Sequence, residues 1–240
     1  MMKKLFTRGA SNAKLAKGVG HEKLGLFLAP HRQNSKRINL CPWAVSECIG
    51  PCLNTAGRGI MATVQVARKR RADEYLADQA AFIGRLCREL ELGVKRSQKS
   101  GLPLAVRLNG TSDVRWYAEG FNFTKFPTVQ FYDYTKDAER FRLFMDGVLP
   151  KNYHLTFSFS GYNLGDCLEF LGRGYNVSVV FQGSLPATWH GYPVINGDIS
   201  DLRFLDPRGM VVGLTAKGKA RKIVNAFTSG GLITIDRKGK

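Results

Sequence analysis

The sequence predicts an α/β protein built as a partial parallel β/α barrel, and three observations predict it. Short apolar runs of strand length recur along the chain, helix-length segments separate most of them, and polar residues gather just after the runs. Strands alternating with helices make parallel βαβ units. In a parallel sheet or barrel every strand end opens on one face, where ligands bind. With 44% of its 240 residues hydrophobic, the chain can supply a single core. It divides into a basic, partly disordered arm over 1–20, one α/β domain over 21–222 and a basic tail over 223–240.

The series begins at residues 24–28 (Leu-Gly-Leu-Phe-Leu), a short strand. A long helix is expected over 60–96, because Val64, Ala67, Leu76, Ala80, Ile83, Leu86 and Leu90 recur mostly at three and four, the spacing of one buried face. Gly101 and Pro103 close it. Strands follow at 104–108, 128–132, 154–158, 177–181 and 210–214, with helices at 114–122, 138–145 and 163–171. No run reaches the roughly 18 apolar residues of a membrane span. The first twenty residues carry Lys3, Lys4, Arg8, Lys14 and Lys17 without the apolar stretch of a signal peptide. A soluble cytoplasmic protein with no membrane partner is the expectation.

Cys41, Cys48 and Cys52 put three of the five cysteines within twelve residues, on a loop with Pro42, Gly50 and Pro51. Thiols so spaced can converge on a metal ion or an iron–sulfur cluster. Structural zinc and electron-transfer clusters take four protein ligands, whereas a catalytic centre leaves one position open. Two alternatives follow: a fourth protein ligand, for which His31 and His190 are candidates, or an iron left free for a small molecule. Cys87 and Cys167 lie in helix-like apolar patterns and are expected to be buried as small apolar residues. Disulfides are not expected from an odd count in a chain without a leader.

The net charge of +17 is concentrated in the arm, in Arg68-Lys69-Arg70-Arg71, in residues 95–99 and in the tail. Clustered cations attract polyanions by counterion release, so nucleic acid or a nucleotide is the expected partner. Arg68, Lys69, Arg70 and Arg71 are candidate nucleic-acid-binding residues. Arg58 joins them, because Gly57-Arg58-Gly59 precedes the long helix and can seat an anion at its N-terminus. Solvated helix ends are the ordinary alternative.

After the strands come Asn109-Gly-Thr-Ser112-Asp113, Asp133-Tyr134-Thr-Lys136, Phe159-Ser160-Gly161, Gln182-Gly183 and Ala216-Lys-Gly218. Such residues form turns, yet Arg107, Asp113, Asp133 and Lys136 are charges that turns do not need. Asp198, Asp201 and Asp206 are close enough in sequence to hold Mg²⁺ with substrate phosphates, or to pair with Arg203 and Arg208. No nucleophile elbow and no phosphate-binding Gly-x-x-x-x-Gly-Lys-Ser/Thr loop is present. Trp116, Tyr117, Tyr132, Trp189 and Tyr192 punctuate these loops, where rings either stack on bases or pack the mouth of the sheet.

Two resemblances follow from these motifs. Strand, three-cysteine loop, long helix and strand is the order of radical S-adenosylmethionine enzymes, although six and then three residues separate the cysteines here, against the usual three and two. The chain also resembles uncharacterised bacteriophage proteins related to gene product 88. The matching phrases are Cys41-Pro-Trp-Ala, Cys52-Leu-Asn-Thr-Ala-Gly-Arg-Gly59, Arg107-Leu-Asn-Gly-Thr-Ser-Asp113, the run from Phe126 through Tyr134 to Lys136, and the run from Asn196 to Pro207. The phage resemblance implies no known activity and places the protein in the infected host cell. The enzyme resemblance implies a 4Fe-4S cluster on Cys41, Cys48 and Cys52 with one iron open to S-adenosylmethionine. Asn109, Ser112, Asp113, Ser158 and Ser160 would contact that cosubstrate, and Asp133, Tyr134 and Lys136 would face the substrate. The alternative is a nucleic-acid-binding protein in which the same cysteines hold structural zinc.

Overall fold

A computed structural model of the chain describes residues 3–222 and 233–235. The strands are β1 (Phe6–Arg8), β2 (Glu22–Leu26), β3 (Leu104–Arg107), β4 (Val129–Thr135), β5 (Tyr153–Ser158), β6 (Val177–Gln182), β7 (Thr188–Trp189), β8 (Tyr192–Asn196), β9 (Val211–Thr215) and β10 (Ile233–Ile235). The helices are α1 (Ser46–Ile49), α2 (Ala62–Ala77), α3 (Gln79–Ser100), α4 (Ala138–Met145) and α5 (Leu164–Gly172). Strands β2, β3, β4, β5, β6 and β9 lie side by side in chain order, all parallel. β8 extends the sheet in parallel beyond β9, and β10 pairs in parallel with the end of β6. β1 and β7 are antiparallel strands at the two edges. This pairing establishes a mostly parallel α/β sheet, and no pairing among the described residues closes it into a barrel.

Side chains alternate across the sheet, and the two faces have different cover. On one face Leu104, Val106, Phe131, Leu155, Phe157, Val177 and Val179 join Leu86 and Leu90 of α3, Phe141 of α4 and Phe170 of α5 in one core. On the other, inner face, Ala105 and Tyr132 pack against Leu202 and Phe204. The inner face is therefore covered by the irregular segment 198–206 rather than by helices.

Every expected strand is present to within a few residues, and so are the helices expected at 138–145 and 163–171. Four features differ. The expected 60–96 helix is two, because Asp78 leaves the helical region (φ −153°) and its carboxylate caps α3 by accepting from the Ala81 amide at 2.9 Å. Residues 114–122 make only a turn around Arg115, whose carbonyl accepts from Ala118 and Glu119. Trp116 is drawn into the core against Tyr75 and Phe82, and Gly120 has φ +88°. The segment holding Trp189 and His190, expected as a loop, is the β7–β8 hairpin, with His190 and Gly191 both at positive φ in its two-residue turn.

The fourth is the basic arm. β1 lies within residues 1–20, Leu5 and Leu15 are buried, and Lys14 reaches the inner face. The basic tail of 223–240 lies outside the described residues apart from β10.

Candidate functional site

The cysteine loop crosses the C-terminal ends of the parallel strands. At one end of the crossing, the Cys41 thiol donates to Thr111 O after β3 and accepts from the His31 amide, both at 3.5 Å. That approach depends on Gly110, where a Cβ would stand 2.4 Å from the Phe27 ring and 2.8 Å from Leu26 O. At the other end Cys48 packs on the pair Ala216 and Ala220, just past β9, on which Val180 of β6 also packs. Cys52 accepts from the Asn54 amide at 3.5 Å, and Asn54 Oδ1 is held by the buried Arg68 guanidinium. All five cysteines are free thiols, and Cys167 is buried in the helix-side core as its pattern predicted.

Cys41, Cys48 and Cys52 lie within electrostatic reach of one another. Burial pushes the Cys41 thiol up to about 12 and raises Cys52 as well. Lys136, immediately after β4, lies close enough to Cys48 to interact with it electrostatically. Burial works against its charge, yet Cys48, Asp113 and Cys41 hold its pKa above the usual value. Three thiols and one ammonium thus share the mouth of the sheet. Among the described residues no three His, Cys, Asp or Glu side chains converge as the ligands of a single ion do. His31 lies beside Cys41 through its backbone, and its ring Nδ1 is 3.2 Å from Asn39 Oδ1. His190 meets the Trp189 ring edge-on at the hairpin turn.

The polar residues after β3 and β4 form a closed network that walls this mouth. Asn109 Oδ1 accepts from Ser112 Oγ, the Val114 amide and Trp116 Nε1 at 2.9–3.2 Å. The Asn109 amide and Nδ2 donate to Asp133, as does Tyr153 Oη. Asp113 accepts from Thr135, from the Lys136 amide and, at 2.8 Å, from Arg140. Arg140 is fully buried; it also hydrogen-bonds Tyr153 and lies 3.8 Å from Asp133. Burial raises Asp113 and lifts Asp133 to about 7, against the opposing pull of Arg140. Asp133 and Tyr134, adjacent on β4, necessarily face opposite sides of the sheet. Asp133 lies in the helix-side wall and Tyr134 on the inner face. Ser158 and Ser178 share a 2.9 Å hydrogen bond between β5 and β6, and Ser160 Oγ accepts from the Tyr162 amide.

The run Arg68–Arg71 is not a free cationic stripe. Arg68 and Arg71 are buried on α2, and the Arg71 guanidinium donates to Phe27 O at 3.4 Å. Lys69 pairs with Asp73 at 3.2 Å, and Arg70 with Glu74 at 2.5 Å. Arg58 is exposed and donates to Ser11 O at 3.5 Å. The stripe that buries α2 is Arg68, Arg71, Ala72 and Tyr75, so the basic run straddles the packed face.

The three aspartates of 198–206 are each engaged by cations. Lys217 binds Asp198; Lys14 and Arg107 both lie 3.3 Å from Asp201; and Arg203 is 3.3 Å from Asp206. Arg208 instead stacks on Tyr175. Arg140 was invisible as a site-forming residue, because a basic side chain on a short helix reads as surface, whereas Arg203 was legible only as a partner for the nearby aspartates. An Asp two or three residues from each was the available signal.

A family model described as gene product 88 matches residues 4–228. No curated protein matches the chain, and neither does any solved structure.

Proposed function

From the premise that this chain belongs to the gene product 88 family, we propose that it is a phage-encoded iron–sulfur protein, similar in plan to radical S-adenosylmethionine enzymes. Cys41, Cys48 and Cys52 would hold a 4Fe-4S cluster, and the substrate would be a nucleotide or nucleic acid. The observation that carries the reading is the position of the loop. Three thiols within reach of one another bridge the ends of β2–β3 and of β6–β9, over six parallel strands in chain order.

The donor set suits the group. Soft thiolates select iron–sulfur centres or zinc. A single zinc, with Zn–S about 2.3 Å, needs its sulfurs about 3.8 Å apart by tetrahedral geometry, and among the described residues no three such side chains are grouped to hold one ion. A cluster spreads its thiolates over separate irons and accepts a wider spacing. A bound cluster would supply one-electron reduction and an open coordination position for the cosubstrate. The chain's own groups would position and shield that centre. Lys136 places a positive charge against Cys48, Thr111 O fixes the Cys41 thiol, and Arg68 with Asn54 anchors the loop behind Cys52. Tyr134 faces inward from the strand that ends at this mouth.

The zinc reading retains one observation in its favour. His31 already abuts Cys41 and lies beside the mouth. Anaerobic reconstitution with iron and sulfide separates the two. Brown protein with about four irons per chain, lost in Cys48→Ser and retained in Cys87→Ser, is expected. A colourless protein that holds stoichiometric zinc, and releases it in His31→Ala, refutes the cluster. Cleavage of S-adenosylmethionine under reducing conditions tests the catalytic part.

A further inference from the structure

The inner face of the sheet carries a layer of polar side chains whose hydrogen-bonding groups are unused. Tyr134 on β4 and Thr156 on β5 stand in register, side by side on that face. Arg107 of β3 and Lys14 of the arm both lie against the Tyr134 ring, 4.6 Å and 4.8 Å from its centroid. Arg203, 2% exposed, approaches from the covering segment within electrostatic reach of Tyr134 and His154. Tyr134 Oη, Thr156 Oγ1, His154 Nε2, Arg107 Nε and Arg203 Nε are enclosed and have no hydrogen-bond partner among the described residues, whereas Arg203 Nη1 faces Asp206 Oδ2 at 3.3 Å. Thr156 is 0% and Arg107 7% exposed. Buried polar groups are almost always paired, so several unpaired ones on a single layer point to a missing acceptor.

Charge distinguishes an anion from water as that acceptor. Three cations, Lys14, Arg107 and Arg203, meet two carboxylates, Asp201 and Asp206. One positive charge is left over on a layer whose two arginines are almost wholly buried, with the Lys14 side chain 26% exposed at its rim, an arrangement that favours an anionic partner. Burial and the nearby Arg203 hold His154 neutral down to about pH 4, as expected in a positive environment. Tyr134 lies two residues before Lys136, near the strand end that the cysteine loop crosses.

We propose that this layer binds the acidic group, a carboxylate or a phosphate, of a small-molecule ligand beneath the cysteine loop. The inference rests on reading this end of the sheet as a ligand site, and it names the ligand's chemical class.

The test uses the full chain and thermal unfolding. Inorganic phosphate in one arm and acetate in the other are titrated against sodium chloride at matched ionic strength. The double variant Tyr134→Phe with Thr156→Val keeps the shape of the layer and deletes two unused groups. Without anion it is expected to be at least as stable as wild type. The wild-type midpoint should rise saturably in one arm, which identifies the group, and the variant's apparent affinity should be roughly tenfold weaker. Equal shifts in the two proteins overturn the proposal, as does a wild type that responds no more than to chloride, the result expected if water alone completes the layer. Cluster absorbance in the same samples keeps the two readings apart. A saturable anion shift in colourless protein removes the iron–sulfur assignment and leaves the anion site standing.

Discussion

Replacing Arg140 by Met isolates the ion network that walls the site. Arg140 is 0% exposed; its guanidinium bonds Asp113 at 2.8 Å and Tyr153, and lies 3.8 Å from Asp133. Methionine fills much of the same volume but leaves two buried carboxylates without their cation. Removing one partner of a buried pair costs about 3–5 kcal/mol. At roughly 2–4 °C per kcal/mol for a chain of this size, the melting point should fall by about 6–20 °C.

The loss should also depend on pH with a definite sign. Burial raises both acids and brings Asp133 to about 7 even with Arg140 present. The folded state therefore keeps a proton that the unfolded chain, at the ordinary 3.8, has released. The stability contributed by that proton is fully present at low pH and is lost as pH rises through about 7. Without Arg140 both acids rise further, and the window in which stability declines extends upward. Urea unfolding of wild type and variant from about pH 5.5 to 8.5 should show a deficit that widens with pH, partly recovered by adding Asp113→Asn. A deficit below about 1 kcal/mol, or one that stays constant across the range, refutes the argument that Arg140 neutralises buried carboxylates.

Two further outcomes follow from the same reasoning. His154, lowered to about 4 by burial and Arg203, takes up its proton later in the folded state than in the unfolded one, whose ordinary pKa is 6.5. About 3 kcal/mol of stability, from a shift of about 2.5 units, should be lost as pH falls from near 6.5 to 4, and His154→Phe should flatten that limb in acid-unfolding curves. Asp78→Ala removes the cap of α3 and should lower stability by about 1 kcal/mol in thermal unfolding, with Asp78→Ser retaining most of it.

Much of the architecture was legible because strand and helix periods are local properties. The runs at 104–108, 128–132, 154–158 and 177–181 are apolar enough to be buried strands whatever packs on them, and they became β3 to β6. The helix expected at 114–122 failed because its apolar residue, Trp116, is claimed by Tyr75 and Phe82 on distant α2 and α3, a contact no window of sequence contains. The basic run 68–71 misled for a related reason. Charge is read from composition, but which arginines face inward is set by where α2 meets the strand ends, and there Arg68 and Arg71 are buried.

Sequence alone determined the central run of strands from β2 to β6 and β9, the excess of positive charge and the grouping of three thiols on one loop, since each is written in residue type and spacing. Only the tertiary structure decided where that loop lies, which residues become its wall, and that Asp133 and Tyr134 serve opposite faces of the sheet. It also brought Lys14, Arg107 and Arg203 together around Asp201 and Asp206, across almost the whole length of the chain. The physical reason is burial. The strength and the sign of a buried charge's contribution depend on the partners folding delivers to it, and those partners come from segments that no local pattern connects.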